Sequence, residues 1–170
     1  MSLVTSRCIL RAPTAADAGS VAKHANNRKI WLNVRDMFPH PYTVPDAQKW
    51  IARVASEEPR HSFVIEADGE AAGGIGLKRG ADVERMTAEV GYWLGEEFWG
   101  RGVATEAVKA ITEYGFATLE LVRIFAVPLA NNAASSRVLE KAGYEKECVM
   151  RNACIKDGKI LDMSLYARIK

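Results

Sequence analysis

The chain has 170 residues, of which 48% are hydrophobic, and a formal net charge of +2. This length suits one domain with a sizeable core, predicted over residues 1–170. The small charge is not concentrated in a basic run and no apolar stretch approaches 18 residues, so we predict no nucleic-acid partner and no membrane partner.

The cysteines and histidines predict neither a disulfide framework nor a metal site. Cys8, Cys148 and Cys154 are odd in number and unevenly spaced, without a CxxC pair, which favours a reducing compartment and a cytoplasmic location. The three histidines are scattered along the chain, so we expect no metal cofactor.

The first third of the chain predicts one strand and two helices. Residues 7–12 are typical of a strand, and a capped helix follows to about residue 26. A second helix begins at Pro45 and runs to about residue 56. Between the helices, residues 29–45 combine aromatic side chains with three prolines, which predicts a loop or a broken helix.

The middle of the chain predicts adjacent antiparallel strands. Residues 61–67 alternate in polarity, Asp68 and Gly69 are typical of a type I′ hairpin turn, and residues 71–77 form the return strand. A further strand over residues 86–94 leads into the glycine-rich segment that organises the chain.

Residues 89–105 read as a strand, a turn and the first turn of a helix. Gly100 and Gly102 lie in the turn, where they allow a ligand to approach the backbone closely. Apolar residues at three- and four-residue intervals predict a helix over residues 103–118 with one face buried. The free N–H groups at its start are suited to bind an anion, and phosphate is the usual one.

The last third predicts a strand over residues 121–129, a helix over residues 132–142 and two final strands. Gly143 lies where a helix C-terminal glycine belongs. Together these elements predict a single mixed α/β (α+β) domain.

Two motifs follow consecutive strands, WGRGVAT at residues 99–105 and NAASSRVLEKAGY at residues 132–144. With AEVGYWL before them, they resemble the Gcn5-related N-acetyltransferase superfamily, in particular its RimJ/RimL-like subgroup. The resemblance implies a mixed, mostly antiparallel sheet flanked by helices. It also implies an acyltransferase that uses acetyl-CoA as co-substrate to acetylate an amine.

The resemblance also implies a coenzyme A site. The superfamily's loop pattern, Q/R-x-x-G-x-G/A, falls on Trp99, Gly102 and Ala104, and Trp99 departs from the usual polar residue. A backbone N–H at Trp93 or Leu94 is expected to stabilise the thioester oxygen, and Asn132 to bind the pantetheine arm. The pyrophosphate is expected on the loop amides of Gly100, Arg101, Gly102, Val103, Ala104 and Thr105, with Arg101 either assisting or simply exposed.

Glu89 and Ser135 are the predicted catalytic residues. An alkylammonium with a pKa of about 10 must lose a proton before it attacks, and Glu89 lies on the strand that leads to the loop. The alternative is that Glu89 only orders a hydrogen-bond network. Many family members protonate the departing thiolate with a tyrosine where this chain has Leu139; the subgroup pattern offers Ser135 instead, which is otherwise a helix-cap residue.

The acceptor is not defined by the sequence. The predicted wall of its site consists of Trp31, Phe38, His40, Tyr42 and Tyr166, although core packing explains the same residues equally well. A protein N-terminus and a small-molecule amine both stay open, as do another acyl-CoA donor, a homodimer, and a weakly catalytic protein that senses coenzyme A or acts as a scaffold.

Overall fold

The computed structural model describes residues 2–170, so only residue 1 of the predicted domain lies outside it. The strands are β1 (Ser2–Val4), β2 (Ile9–Arg11), β3 (Ser62–Ala67), β4 (Glu70–Arg79), β5 (Thr87–Leu94), β6 (Arg123–Ala126), β7 (Glu145–Lys156) and β8 (Lys159–Ile169). The helices are α1 (Ala18–Ala25), α2 (Arg28–Trp31), α3 (Val44–Ala55), α4 (Val103–Thr118) and α5 (Ala133–Lys141). Short 3-10 turns occupy Ala15–Asp17, Asp82–Glu84 and Glu96–Phe98.

The eight strands form one sheet in the order β1-β2-β3-β4-β5-β6-β8-β7. Neighbouring strands are antiparallel except β5 and β6, which are parallel and are joined by α4. The predicted mixed, mostly antiparallel sheet is therefore confirmed.

Helices cover both faces of the sheet. On β3, Ile65 packs in the core with α4 and α5, whereas the adjacent Val64 packs in a second cluster with α1 and α3. Successive side chains of a strand point to opposite faces, so the two clusters lie on opposite faces of the sheet. Both the fold class and the flanking helices agree with the sequence prediction.

Two-residue turns connect the strands of two hairpins, β3–β4 and β7–β8. Asp68 and Gly69 both have positive φ, 52° and 80°, as a type I′ turn requires. Asp157 and Gly158 repeat this arrangement at the tip of the β7–β8 hairpin, with φ of 51° and 73°.

Two predicted strands are shorter than expected, and one predicted irregular segment is confirmed. The strand predicted over residues 7–12 is shorter, and β1 precedes it. The strand predicted over residues 121–129 contains only β6, because the chain leaves the ladder before Pro128, which has no N–H to donate. Residues 29–45 form a broken segment, as predicted, in which α2 is followed by a loop over residues 32–43.

Candidate active site

A fork between β5 and β6 lies at the centre of the site. The ladder of β5 with β4 extends to Leu94, whereas its ladder with β6 ends where Glu89 pairs with Phe125. Beyond Glu89 the two parallel strands diverge, so in the described chain the edge of β5 over residues 90–94 has no strand partner. Such an edge presents peptide N–H and C=O groups to an extended ligand.

The loop after β5 leads directly into the N-terminus of α4. Gly100 and Gly102 have φ of 73° and 78°, which only glycine adopts readily. No side chain caps the helix at Gly102, so the N–H groups of its first turn are available to an anion. The indole N–H of Trp99 donates to the carbonyl of Leu94 at 2.7 Å and so fixes the loop to the end of β5.

Two arginines lie at this loop, and they are placed differently. The side chain of Arg101 is paired with Asp68 at 2.8 Å and covers Phe98, so its charge is already balanced. Arg7 instead donates from Nη1 to the carbonyl of Arg101 at 3.0 Å. Its Nε lies 3.1 Å from where a Cβ on Gly102 would stand, so the guanidinium lies beside the start of α4.

Arg7 has no acidic partner within 4.0 Å among residues 2–170. A cation beside the positive end of a helix dipole is unfavourable in isolation. An anion bound between Arg7 and the start of α4 would make the electrostatic interactions of both groups favourable. Arg7 was not among the residues predicted from sequence, and nothing in its local sequence indicates this position, since it is 94 residues from Arg101.

The first turn of α5 lies on the opposite side of the fork. Asn132 accepts the backbone N–H of Ser135 at 3.1 Å through Oδ1, which caps the helix and leaves its amide NH₂ group for a ligand. The hydroxyl of Ser135 is 2.7 Å from that of Tyr92 on β5. Burial raises the pKa of Tyr92 to about 12, so its hydroxyl is protonated at neutral pH. Leu139 is 0% exposed and belongs to the core.

Glu89 lies at the point of the fork. Because side chains alternate along β5, it shares a face with Trp93, opposite to Val90 and Tyr92. Its side chain is 21% exposed, and Oε1 accepts a bond from Nη2 of Arg35 at 2.5 Å. The predicted base is therefore paired with a cation from the loop after α2.

The aromatic residues predicted for the acceptor fall into three groups. Phe38 contacts both Tyr42 and Trp93, with ring centroids 4.7 and 5.6 Å apart, and Gly74 makes room for the indole of Trp93. Trp31 stacks on His40 at 5.9 Å. Trp31, Phe38 and His40 are at least partly exposed, whereas Tyr42 is 7% exposed.

Tyr166 is placed apart from the other aromatic residues. Its ring is 2% exposed in the core, and its hydroxyl contacts Glu140 of α5 at 3.2 Å. This environment gives no support to its prediction as part of the acceptor wall.

Ion pairs hold the loop over residues 32–43 against the β7–β8 hairpin. Lys156 lies 2.7 Å from Asp36 and 3.8 Å from the centroid of the Trp31 ring, and it is only 5% exposed. Arg28 pairs with Asp157 at the hairpin tip at 2.8 Å. The segment opposite Glu89 is thus fixed by contacts with the distant end of the chain.

Sequence reasoning missed three residues of this site. Tyr92 lies two residues from both Val90 and Leu94 on β5, so the three side chains share one face of the strand. That spacing could have placed Tyr92 on the buried face, where α5 packs. Arg7 and Arg35 have no such signal, because each contacts the site only through tertiary structure.

Within residues 2–170, no group of three or more His, Cys, Asp or Glu side chains is arranged to hold a metal ion. None of the helices described is both long and apolar enough to cross a membrane.

The forked sheet and the glycine-rich loop at the start of α4 agree with the coenzyme A-binding acyltransferase fold that the two sequence motifs resemble. The sequence profile of the acetyltransferase (GNAT) domain matches residues 7–145. The chain therefore belongs to the GNAT acetyltransferase family, and it is an N-acetyltransferase that uses acetyl-CoA.

Similar proteins have both characterised and uncharacterised activities. The chain is 31% identical over 171 residues to the uncharacterised N-acetyltransferase YoaA of Bacillus subtilis (strain 168), covering 99% of this chain and 96% of that protein. It is 32% identical over 91 residues to spermidine N(1)-acetyltransferase of Escherichia coli (strain K12), covering 54% of this chain and 48% of that protein. The structure of RimL, a ribosomal-protein acetyltransferase in complex with coenzyme A, superposes with a TM-score of 0.86, 21% identity and coverage of 99% and 98%.

Proposed function

We propose that the protein transfers the acetyl group of acetyl-CoA to a primary amine by direct attack in a ternary complex. The observation that carries this proposal is the fork, where the anion loop, the free edge of β5 and Glu89 follow one another along a single strand and its helix. A thioester bound along that edge would have its phosphates at the loop and its reactive carbon towards Glu89.

The coenzyme is held mainly by backbone groups. The amides of residues 100–105 bind the pyrophosphate at the start of α4, and the guanidinium of Arg7 adds the one cation there without a carboxylate partner in the described chain. The free edge of β5 and the amide NH₂ group of Asn132 bind the pantetheine arm. The backbone N–H of Leu94 stabilises the oxygen of the thioester as it becomes anionic. The N–H of Gly95 donates to Ala72 on β4, so by alternation the N–H of Trp93 also points into the ladder with β4, whereas that of Leu94 points to the free edge.

The acetyl transfer itself requires little more than a proton acceptor and a stabilised leaving group. Glu89, directly or through one water, takes the proton of the attacking ammonium, a contribution of roughly 10²- to 10⁴-fold to the rate. The neutral nitrogen bonds to the thioester carbon, and the carbon–sulfur bond then breaks as the nitrogen loses its second proton to solvent through Glu89. The sulfur leaves as a thiolate that accepts a hydrogen bond from Ser135.

Arg35 must leave Glu89 before the acceptor binds. Its side chain is 60% exposed, and it is paired with Glu89, the group that takes the proton of the ammonium. An acceptor ammonium offers Glu89 the same charge and so replaces the guanidinium. Arg35 thereby competes with the acceptor for the base.

The acceptor class is a primary amine, on either a protein N-terminus or a small molecule. One relative acts on spermidine, and a structural neighbour is named for acetylation of a ribosomal protein. Trp31, Phe38 and His40 supply an aromatic surface opposite Glu89, where cation–π attraction favours an ammonium.

A thiol-release assay tests this function. The purified protein is mixed with acetyl-CoA and, in turn, polyamines, amino acids, aminoglycosides and short peptides with free N-termini, and the products are weighed by mass spectrometry. We expect thiol release that depends on one amine class, with one acetyl group on the product. If acetyl-CoA binds but no amine releases thiol, the protein is a sensor or scaffold; if only succinyl-CoA releases it, the donor assignment is wrong.

A further inference from the structure

Tyr92 is the only residue that the structure places in hydrogen-bond contact with the hydroxyl of Ser135 within residues 2–170, at 2.7 Å. Tyr92 lies on β5 within the edge over residues 90–94, and Ser135 lies in the first turn of α5. Building on the proposed function, we infer that Tyr92 is a positioning residue which donates its hydrogen bond to Ser135 and thereby aims the serine O–H at the departing sulfur.

The direction of this hydrogen bond decides what Ser135 can do. A serine hydroxyl has one proton and two acceptor lone pairs. If Ser135 donated to Tyr92, its proton would be occupied and the sulfur would receive none. If Tyr92 donates, Ser135 keeps its proton for the sulfur, and the two bonds strengthen each other as a chain.

Burial of the tyrosine supports the second direction. The ring of Tyr92 packs against the main core, and the phenol stays protonated at neutral pH. Its hydroxyl has two acceptors on Ser135, the side-chain oxygen at 2.7 Å and the carbonyl oxygen at 3.5 Å, and the much shorter distance favours donation to the side chain. The thiolate formed when the carbon–sulfur bond breaks then accepts from Ser135. No proton leaves Tyr92, and the two protons that the acceptor nitrogen loses go to solvent through Glu89.

The protein contains a matched tyrosine pair for comparison. Tyr144 is 3% exposed, and its hydroxyl is 2.7 Å from that of Thr112 on α4. Burial raises its pKa to about 12, as for Tyr92. Thr112 also donates to the carbonyl of Val108, so this second pair is part of the core.

The test is a set of four variants, Tyr92→Phe, Ser135→Ala, the double variant Tyr92→Phe/Ser135→Ala, and Tyr144→Phe. Acetyl-CoA and an active amine are used for steady-state kinetics, and thermal unfolding checks that each variant folds. We expect Tyr92→Phe to lower kcat by about three- to tenfold, the range of one hydrogen bond, with KM for acetyl-CoA unchanged. Tyr144→Phe should lower the unfolding temperature similarly but leave kcat within twofold.

The double variant separates a positioning role from a structural one. If Tyr92 acts through Ser135, the double variant has the same kcat as Ser135→Ala, because the second change has nothing left to remove. If the two losses multiply, or if Tyr92→Phe is as active as the parent while Ser135→Ala is slower, the inference is wrong. If Ser135→Ala itself is as active as the parent, the proposed leaving-group role of Ser135 is wrong instead.

Discussion

The two halves of the site are built from different parts of the chain. The proposed cofactor cleft, formed by the edge over residues 90–94, the loop over residues 99–105 and the first turn of α5, consists largely of backbone groups. The proposed acceptor wall consists of Glu89, Trp93 and residues 29–43. It is held by side-chain ion pairs whose partners are separated in sequence by 54, 120 and 129 positions. The acceptor wall can therefore change by substitution of a few side chains while the cofactor cleft stays intact.

Removing the charge of Glu89 should have the largest effect on turnover. In Glu89→Gln the shape is kept but the proton acceptor is lost, so we expect kcat to fall by roughly 10²- to 10³-fold. The dissociation constant of acetyl-CoA should stay within twofold, because Glu89 lies on the acceptor wall. Stopped-flow thiol release and calorimetry measure the two quantities. A parent-like kcat would mean that Glu89 only orders a hydrogen-bond network.

Gly102→Glu should have the next largest effect, on binding. A side chain at φ of 78° is strained, the new Cβ meets Arg7, and the carboxylate repels phosphate, so acetyl-CoA should bind about a hundredfold more weakly.

The matched control is Gly158→Glu. Gly158 has φ of 73° and open space around it at the tip of the β7–β8 hairpin. We expect this variant to bind acetyl-CoA as the parent does. Equal losses in the two variants would mean that backbone strain, and not the phosphate loop, accounts for the effect.

Substitution of the two arginines beside the loop tests which positive charge contributes to binding of the pyrophosphate. Arg7→Ala should weaken binding of coenzyme A and of ADP about tenfold each and leave pantetheine unaffected, because a charge-assisted hydrogen bond to phosphate is lost. Raising the salt concentration should weaken the parent more than the variant.

Arg101→Ala is the comparison variant, because its guanidinium is already paired with Asp68. We expect a change of about twofold or less, as for an exposed ion pair. If Arg101→Ala weakens binding more than Arg7→Ala does, Arg101 and not Arg7 is the cation that contacts the pyrophosphate.

Arg35→Ala should have the smallest effect, and it should improve the enzyme. Without the guanidinium, Glu89 is free for the acceptor ammonium, so kcat/KM for the amine should rise about threefold. Lys109→Ala removes an exposed ion pair with Glu106 on α4, outside the acceptor wall, and should leave kcat/KM unchanged. A fall in kcat/KM for Arg35→Ala would show that Arg35 helps to bind the acceptor.

The sequence predicted the structural elements of the proposed cofactor cleft better than those of the proposed acceptor wall, and the reason is physical. Gly100 and Gly102 are local signals of backbone conformation, and the helix that follows has a clear period, so the loop and α4 were predicted at residues 103–118 as observed. The ion pairs of Arg35 and Lys156 depend on how the chain folds back on itself, and no local pattern encodes them.

Some elements were predicted only in part. Tyr42 and Tyr166 have the aromatic character of a ligand wall, but tertiary packing buries both. The fork itself was not visible in the sequence, because the early end of β6 depends on where its ladder with β5 stops.

The separation of the two halves is tested most directly by calorimetric titration of acetyl-CoA into the parent, Glu89→Gln and Gly102→Glu under one set of conditions. We predict that Glu89→Gln binds as tightly as the parent within twofold and that Gly102→Glu binds about a hundredfold more weakly. If Glu89→Gln loses binding to the same extent as Gly102→Glu, or if Gly102→Glu binds like the parent, the division into a cofactor cleft and an acceptor wall is wrong.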